Sequence, residues 1–140
     1  MDFTNEKCVL VIDPDLPVGV IANTAAICGI TLGKCLPETV GPDVYDRSGC
    51  VHPGIIEFPV PVLKADRDGL RSIRDRLRTP PFAEIVAVDF SDLAQSCRSY
   101  GEFIRKAAGA EESTLTYLGL GLCGPKKLVE KLTGSLPLLR

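Results

Sequence analysis

Apolar residues along this chain fall into four short runs and four longer stretches with helical spacing. The first run, residues 8–12 (Cys-Val-Leu-Val-Ile), is continuous and largely β-branched, the pattern of a strand buried on both faces. Asp13-Pro14-Asp15 ends it. Pro17 then falls in the first turn of a helix, with Asp15 available as a cap. From Val18 to Leu32 apolar residues surround the helix instead of lining one stripe, which predicts burial on most sides or an oligomer interface. Gly33, Pro37, Gly41, Pro42 and Gly49 mark an irregular stretch through residue 53. The β-rich run 55–63 carries Pro59 and Pro61, whose missing donors push it toward a sheet edge or an irregular path.

Asp66 caps the next helix, with Leu70, Ile73 and Leu77 on its inner face and Thr79-Pro80-Pro81 as its stop. Residues 84–89 read as a third strand. Ser91 or Asp92 then caps a helix with Leu93, Cys97, Tyr100 and Ile104 on one face, ending at Gly109. Residues 115–122 form the fourth strand, and residues 125–133 a last helix closed by Gly134. The alternation predicts an α/β domain over residues 1–140: a single-layer, four-stranded mixed sheet flanked by helices.

Composition narrows the function classes without choosing one. The 140 residues suit one domain, and 45% hydrophobic with 24% charged residues is globular composition. A formal net charge of −2 argues against a strongly basic nucleic-acid footprint. Six cysteines are scattered without a C-x-x-C pair, and with one histidine they build no typical zinc site, so no metal and no cofactor are expected. The first residues lack a basic segment followed by an apolar run, and residues 18–32 are interrupted by Asn23 and Thr24. The expectation is a cytoplasmic protein with no membrane segment.

The most chemical-looking segment is Gly119-Leu-Gly121-Leu-Cys-Gly124-Pro-Lys126-Lys127, a formal G-x-G-x-x-G between a strand and a helix. Sixteen residues follow Gly124, too few for a second strand and an acidic residue about 20 positions on. A Walker loop fails as well, because Pro125 precedes the lysine and no Ser or Thr follows it. What survives is an anion site: a helix N-terminus beside Lys126 and Lys127. Close packing of helix on sheet explains the glycines equally well.

Both ends of the chain carry a further signal. Lys7-Cys-Val-Leu-Val-Ile-Asp-Pro-Asp-Leu-Pro-Val-Gly19 with its Ala-rich helix, and Leu118-Gly-Leu-Gly-Leu with Leu128-Val-Glu-Lys-Leu-Thr-Gly134, resemble type-two peptidyl-tRNA hydrolases. The whole chain resembles an uncharacterised, unknown-function family of small proteins assigned to the same fold. Ala22-Asn-Thr-Ala25, His52-Pro-Gly54, Pro59-Val-Pro61, Val88-Asp-Phe90 and Gly124-Pro-Lys-Lys through Arg140 carry that likeness. The resemblance implies a peptidyl-tRNA-hydrolase-like fold. It does not carry the activity. Where those hydrolases place lysines and a histidine along the first helix, this chain has Pro17, Val20, Ala22 and Gly29. Their Asp-Ala-Gly-Arg-Thr segment is absent, so tRNA is an unlikely partner for so little positive charge.

The candidate ligand-binding residues are Asp15, Asn23, Thr24, Gly119, Gly121 and Lys126, placed around a cleft between the first helix and the glycine turn. A small ligand is the leading expectation, with an anion as one class. Asp89 and His52 are candidate general bases for an alternative, a divergent ester or amide hydrolase. Asp89 could meet Asp15 or Asn23 if their strands are neighbours. A third alternative is a non-catalytic homodimeric interaction module using the apolar first helix.

Overall fold

The computed structural model describes residues 4–140. Strand β1 (Glu6–Ile12) leads into helix α1 (Val18–Cys35). A 3-10 turn at Pro37–Thr39 and a two-stranded hairpin, β2 (Val44–Tyr45) with β3 (Val51–His52), follow. Strand β4 (Val62–Lys64) and helix α2 (Arg67–Leu77) come next, then β5 (Val86–Ser91). Two short helices, α3 (Asp92–Ser96) and α4 (Tyr100–Ala108), precede β6 (Tyr117–Pro125) and helix α5 (Lys126–Thr133).

The main sheet has the order β4-β1-β6-β5. β1 pairs in parallel with β4 and antiparallel with β6, and β5 is antiparallel to β6, so the four-stranded sheet is mixed as expected. Helices cover both faces. On one, Val9, Val11, Leu120 and Leu122 pack against Leu70, Ile73 and Leu77 of α2 and Val129 and Leu132 of α5. On the other, Cys8, Leu10 and Cys123 pack with Cys28 and Leu32 of α1. β1 and β6 thus face hydrophobic layers on both sides, which accounts for their continuous apolar runs.

Several elements depart from the sequence pattern, each for a visible reason. The run 55–63 contributes only Val62–Lys64 to the sheet, because Pro59 and Pro61 cannot donate to a ladder. Its open edge is covered by the C-terminal segment: Lys64 N–H donates to Pro137 O and Leu139 N–H to Val62 O. The single helix expected over 91–109 is two. Ser99 accepts from Glu102 N–H, and the Glu102 carboxylate accepts from Arg98 N–H, so a new helix start is written into Ser99-Tyr-Gly-Glu102. Pro17, not Asp15, occupies the N-cap position of α1, with its carbonyl accepting from Val20 and Ile21. Asp15 N–H instead bonds the Asp13 carboxylate.

Helix α1 buries only a narrow stripe, Thr24, Cys28 and Leu32, at intervals of four. Its other side is open, with Val18 84% and Ile30 75% exposed. By length and composition alone this helix could cross a bilayer, contrary to the sequence expectation; its inner stripe packs on the sheet.

Candidate functional site

The glycines of the G-x-G-x-x-G segment are not a turn. They lie inside β6, which continues to Pro125. Gly119 pairs with Ile12, Gly121 with Leu10 and Gly124 with Lys7. What they provide is proximity. A Cβ on Gly119 would sit 2.5 Å from Thr24 Cγ2, and one on Gly121 would sit 2.9 Å from Leu32 Cδ1 and 3.1 Å from Cys28 Cβ. Helix α1 therefore lies directly on the strand at this end, and side chains fill the expected cleft.

The polar candidates do not converge. Thr24 is buried and its hydroxyl donates to Val20 O at 2.7 Å, the local back-bond that satisfies a helical threonine. Asn23 faces solvent. Lys126 begins α5 at the far end of β6; at about 3.3 Å per residue it is roughly 20 Å along the strand from Gly119. Its N–H donates to Asn5 O at 2.8 Å, so one of the helix-start donors of the expected anion site already has a partner. Asp89 does not neighbour Asp15 or Asn23 through β1, because β6 lies between β1 and β5.

The two candidate bases are each already engaged by a partner side chain. Asp89 Oδ2 accepts from Arg74 Nε at 3.0 Å. Among the described residues no serine, threonine or cysteine hydrogen-bonds to its carboxylate. Asp89 does line an open groove of about 530 Å³ between α1, β5 and the α3–α4 corner, with Ile27, Phe90, Arg98 and Tyr100. His52 sits in the exposed hairpin, its Nε2 2.8 Å from Asp46 Oδ2. That contact, followed by the backbone donor of Cys50, holds the Asp46 carboxyl below its ordinary value. Asp46 also accepts from Ser48 N–H, so it organises the hairpin turn.

A different pocket opens where α1 leaves the sheet. Beyond Cys28 the inner positions of the helix are Gly29, Leu32 and Gly33, and a Cβ on Gly29 or Gly33 would meet nothing within 4 Å. The floor is Cys8 and Leu10 of β1 and Cys123 of β6. The far wall is the segment after the helix: Leu36, Thr39, Val40, Ile56 and Val60. This wall is closed by the Val40–Ile56 bridge and by Glu57 N–H donating to Thr39 O at 2.9 Å. Gly54 permits the closure, since a Cβ there would lie 1.8 Å from Gly41 O.

The space is about 170 Å³. No lining residue carries a carboxylate, ammonium or guanidinium, and the Thr39 hydroxyl is already bonded to Leu36 O at 2.8 Å. Two lining residues, Gly29 and Val40, are exposed, so the pocket reaches the surface between them. The sequence reading missed this site because its chemistry is a lack of side chains. The signal was the spacing of Gly29 and Gly33, one turn apart on the helix.

Comparison with known proteins adds the fold and the family. The structure is similar to that of a protein of unknown function from Agrobacterium tumefaciens strain C58, with a TM-score of 0.86 and 20% sequence identity, covering 96% of this chain and 97% of the other. No curated protein matches the chain. The family of proteins of unknown function DUF2000 matches residues 6–140. The chain belongs to the DUF2000 family.

Proposed function

We propose that this protein binds a compact apolar molecule in the pocket between α1, the β1–β6 floor and the 36–60 wall, on a peptidyl-tRNA-hydrolase-like fold that has lost the tRNA substrate. The pocket carries the reading: about 170 Å³ of uncharged space, roofed by two glycines and reaching the surface. Engineered apolar cavities of about 150 Å³ stay dry and take up benzene or xenon. A ligand with a single ring or a short branched chain matches this volume, and a phosphate or carboxylate finds no cation to meet it. The small anion suggested by Lys126 has no such enclosure. The loss of tRNA follows from Pro17, Val20, Ala22 and Gly29, which supply no charge to a phosphate backbone.

Benzene is a suitable probe. Titrated into the folded protein, it should shift the amide resonances of Cys8, Leu32, Gly33, Val40 and Cys123 saturably. It should also raise the melting temperature, by about 1.4 kcal/mol of stabilisation at ten times Kd. Gly33→Leu, which fills the space from the helix side, should abolish both responses while leaving the fold intact. A titration without saturable shifts at these residues rejects the proposal.

A further inference from the structure

Cys8 of β1 and Cys123 of β6 face each other across the antiparallel ladder. The neighbouring backbone bonds fix what kind of pair they form. Asp13 N–H donates to Leu118 O at 3.1 Å, and Lys126 N–H to Asn5 O at 2.8 Å, so those two positions are hydrogen-bonded pairs. Hydrogen-bonded and non-hydrogen-bonded pairs alternate along such a ladder. Counting inward from either end, Cys8 and Cys123 fall in the non-hydrogen-bonded set, as does Pro125 opposite Glu6, which has no N–H to give. Pairs of this kind bring their Cα atoms to about 4.5 Å with side chains at their closest. A disulfide spans Cα separations of roughly 4.4–6.8 Å.

The register sets the two side chains next to each other in the layer that α1 covers. Both are buried, yet both line the pocket that reaches the surface at Gly29 and Val40. They differ in this from Cys28, which lies on the inner stripe of α1, packs onto the strand at Gly121 and does not line the pocket.

We propose that Cys8 and Cys123 are an oxidisable dithiol, closed reversibly into a cross-strand disulfide by a peroxide that enters the pocket. The neighbouring Cys123 thiol lowers the Cys8 pKa against the opposing effect of burial, whereas the Cys8 thiol and burial push Cys123 up. The dithiol reacts first at one sulfur, here that of Cys8. Its thiolate attacks one peroxide oxygen, the O–O bond breaks, and Cys8 becomes a sulfenic acid while hydroxide leaves and is protonated to water. The Cys123 sulfur then attacks the Cys8 sulfur. The S–S bond forms, the S–O bond breaks, and the hydroxyl departs with the Cys123 proton as a second water. The peroxide gains the two electrons that the thiols lose, and a dithiol reductant reverses the reaction by exchange. The inference rests on the ladder and holds whether or not the pocket has an organic ligand.

The test uses the full chain with Cys35, Cys50 and Cys97 changed to serine, which removes the thiols that are not buried. After stoichiometric hydrogen peroxide under native conditions, alkylation and digestion should yield one linked peptide pair, Cys8 to Cys123, with the mass of two hydrogens lost. Cys28 should remain alkylatable after unfolding, and dithiothreitol should restore the thiols of Cys8 and Cys123. Cys123→Ala should halt the reaction at a Cys8 sulfenic acid that dimedone traps. Recovery of Cys8 and Cys123 as free thiols after peroxide, or a link from either one to Cys28, overturns the proposal. Should Cys123→Ala fail to fold, the linked-peptide result in the parent chain decides the matter alone.

Discussion

Helix α1 meets strand β6 in two different ways within a few turns. Up to Cys28 the contact is closed: Gly119 and Gly121 give up their side chains so that Thr24 and Cys28 can touch the strand. At its C-terminal end the glycines are on the helix instead, at positions 29 and 33, and the strand presents Cys123 to an open space. The same residue type has opposite consequences. A glycine on the strand lets the helix come down, whereas a glycine on the helix leaves room beneath it. The closed end holds α1 in place, and the open end is the proposed ligand site.

Substitution should separate the two ends clearly. Gly119→Ala has the largest expected effect, because Thr24 is β-branched and buried and its methyl cannot swing away from an atom at 2.5 Å. Overpacking of this kind costs about 1–3 kcal/mol in chemical denaturation. Thr24→Ser removes the clashing methyl. It should recover part of that loss in the Gly119→Ala background while costing roughly 1 kcal/mol by itself, a non-additivity that a double-mutant cycle measures. Gly29→Ala should act in the other direction and more weakly. The added Cβ meets nothing within 4 Å and raises helix propensity, so stability should increase by about 0.5–1 kcal/mol. Equal losses at Gly119 and Gly29 would remove the distinction between a closed and an open end.

Much of the fold was legible in the sequence because burial on two faces leaves an unmistakable mark. Residues 8–12 read as a strand buried on both faces and are one, residues 115–122 read as a strand that the structure places at Tyr117–Pro125, and Leu70, Ile73 and Leu77 read as the inner face of a helix. The prolines at 59 and 61 correctly confined their segment to an edge. The split at residues 97–99 was visible in Ser99 and Glu102 but was overridden by the apolar period that runs through Cys97 and Tyr100. The site was far less legible. Polar residues in an apolar helix pointed to Asn23 and Thr24, yet one is solvated and the other bonds its own backbone. A pocket formed by missing side chains has no residue to announce it. Neither does the pairing of Cys8 with Cys123, which depends on a register across 115 positions of chain.

The central claim is that the space beneath Gly29 and Gly33 takes up a compact apolar molecule. Xenon tests it without assuming a ligand. Crystals of the protein pressurised with xenon should show one dominant anomalous peak between Cys8, Leu32, Gly33 and Cys123. A peak confined to the groove beside Ile27 and Tyr100, or none at all, would contradict the account.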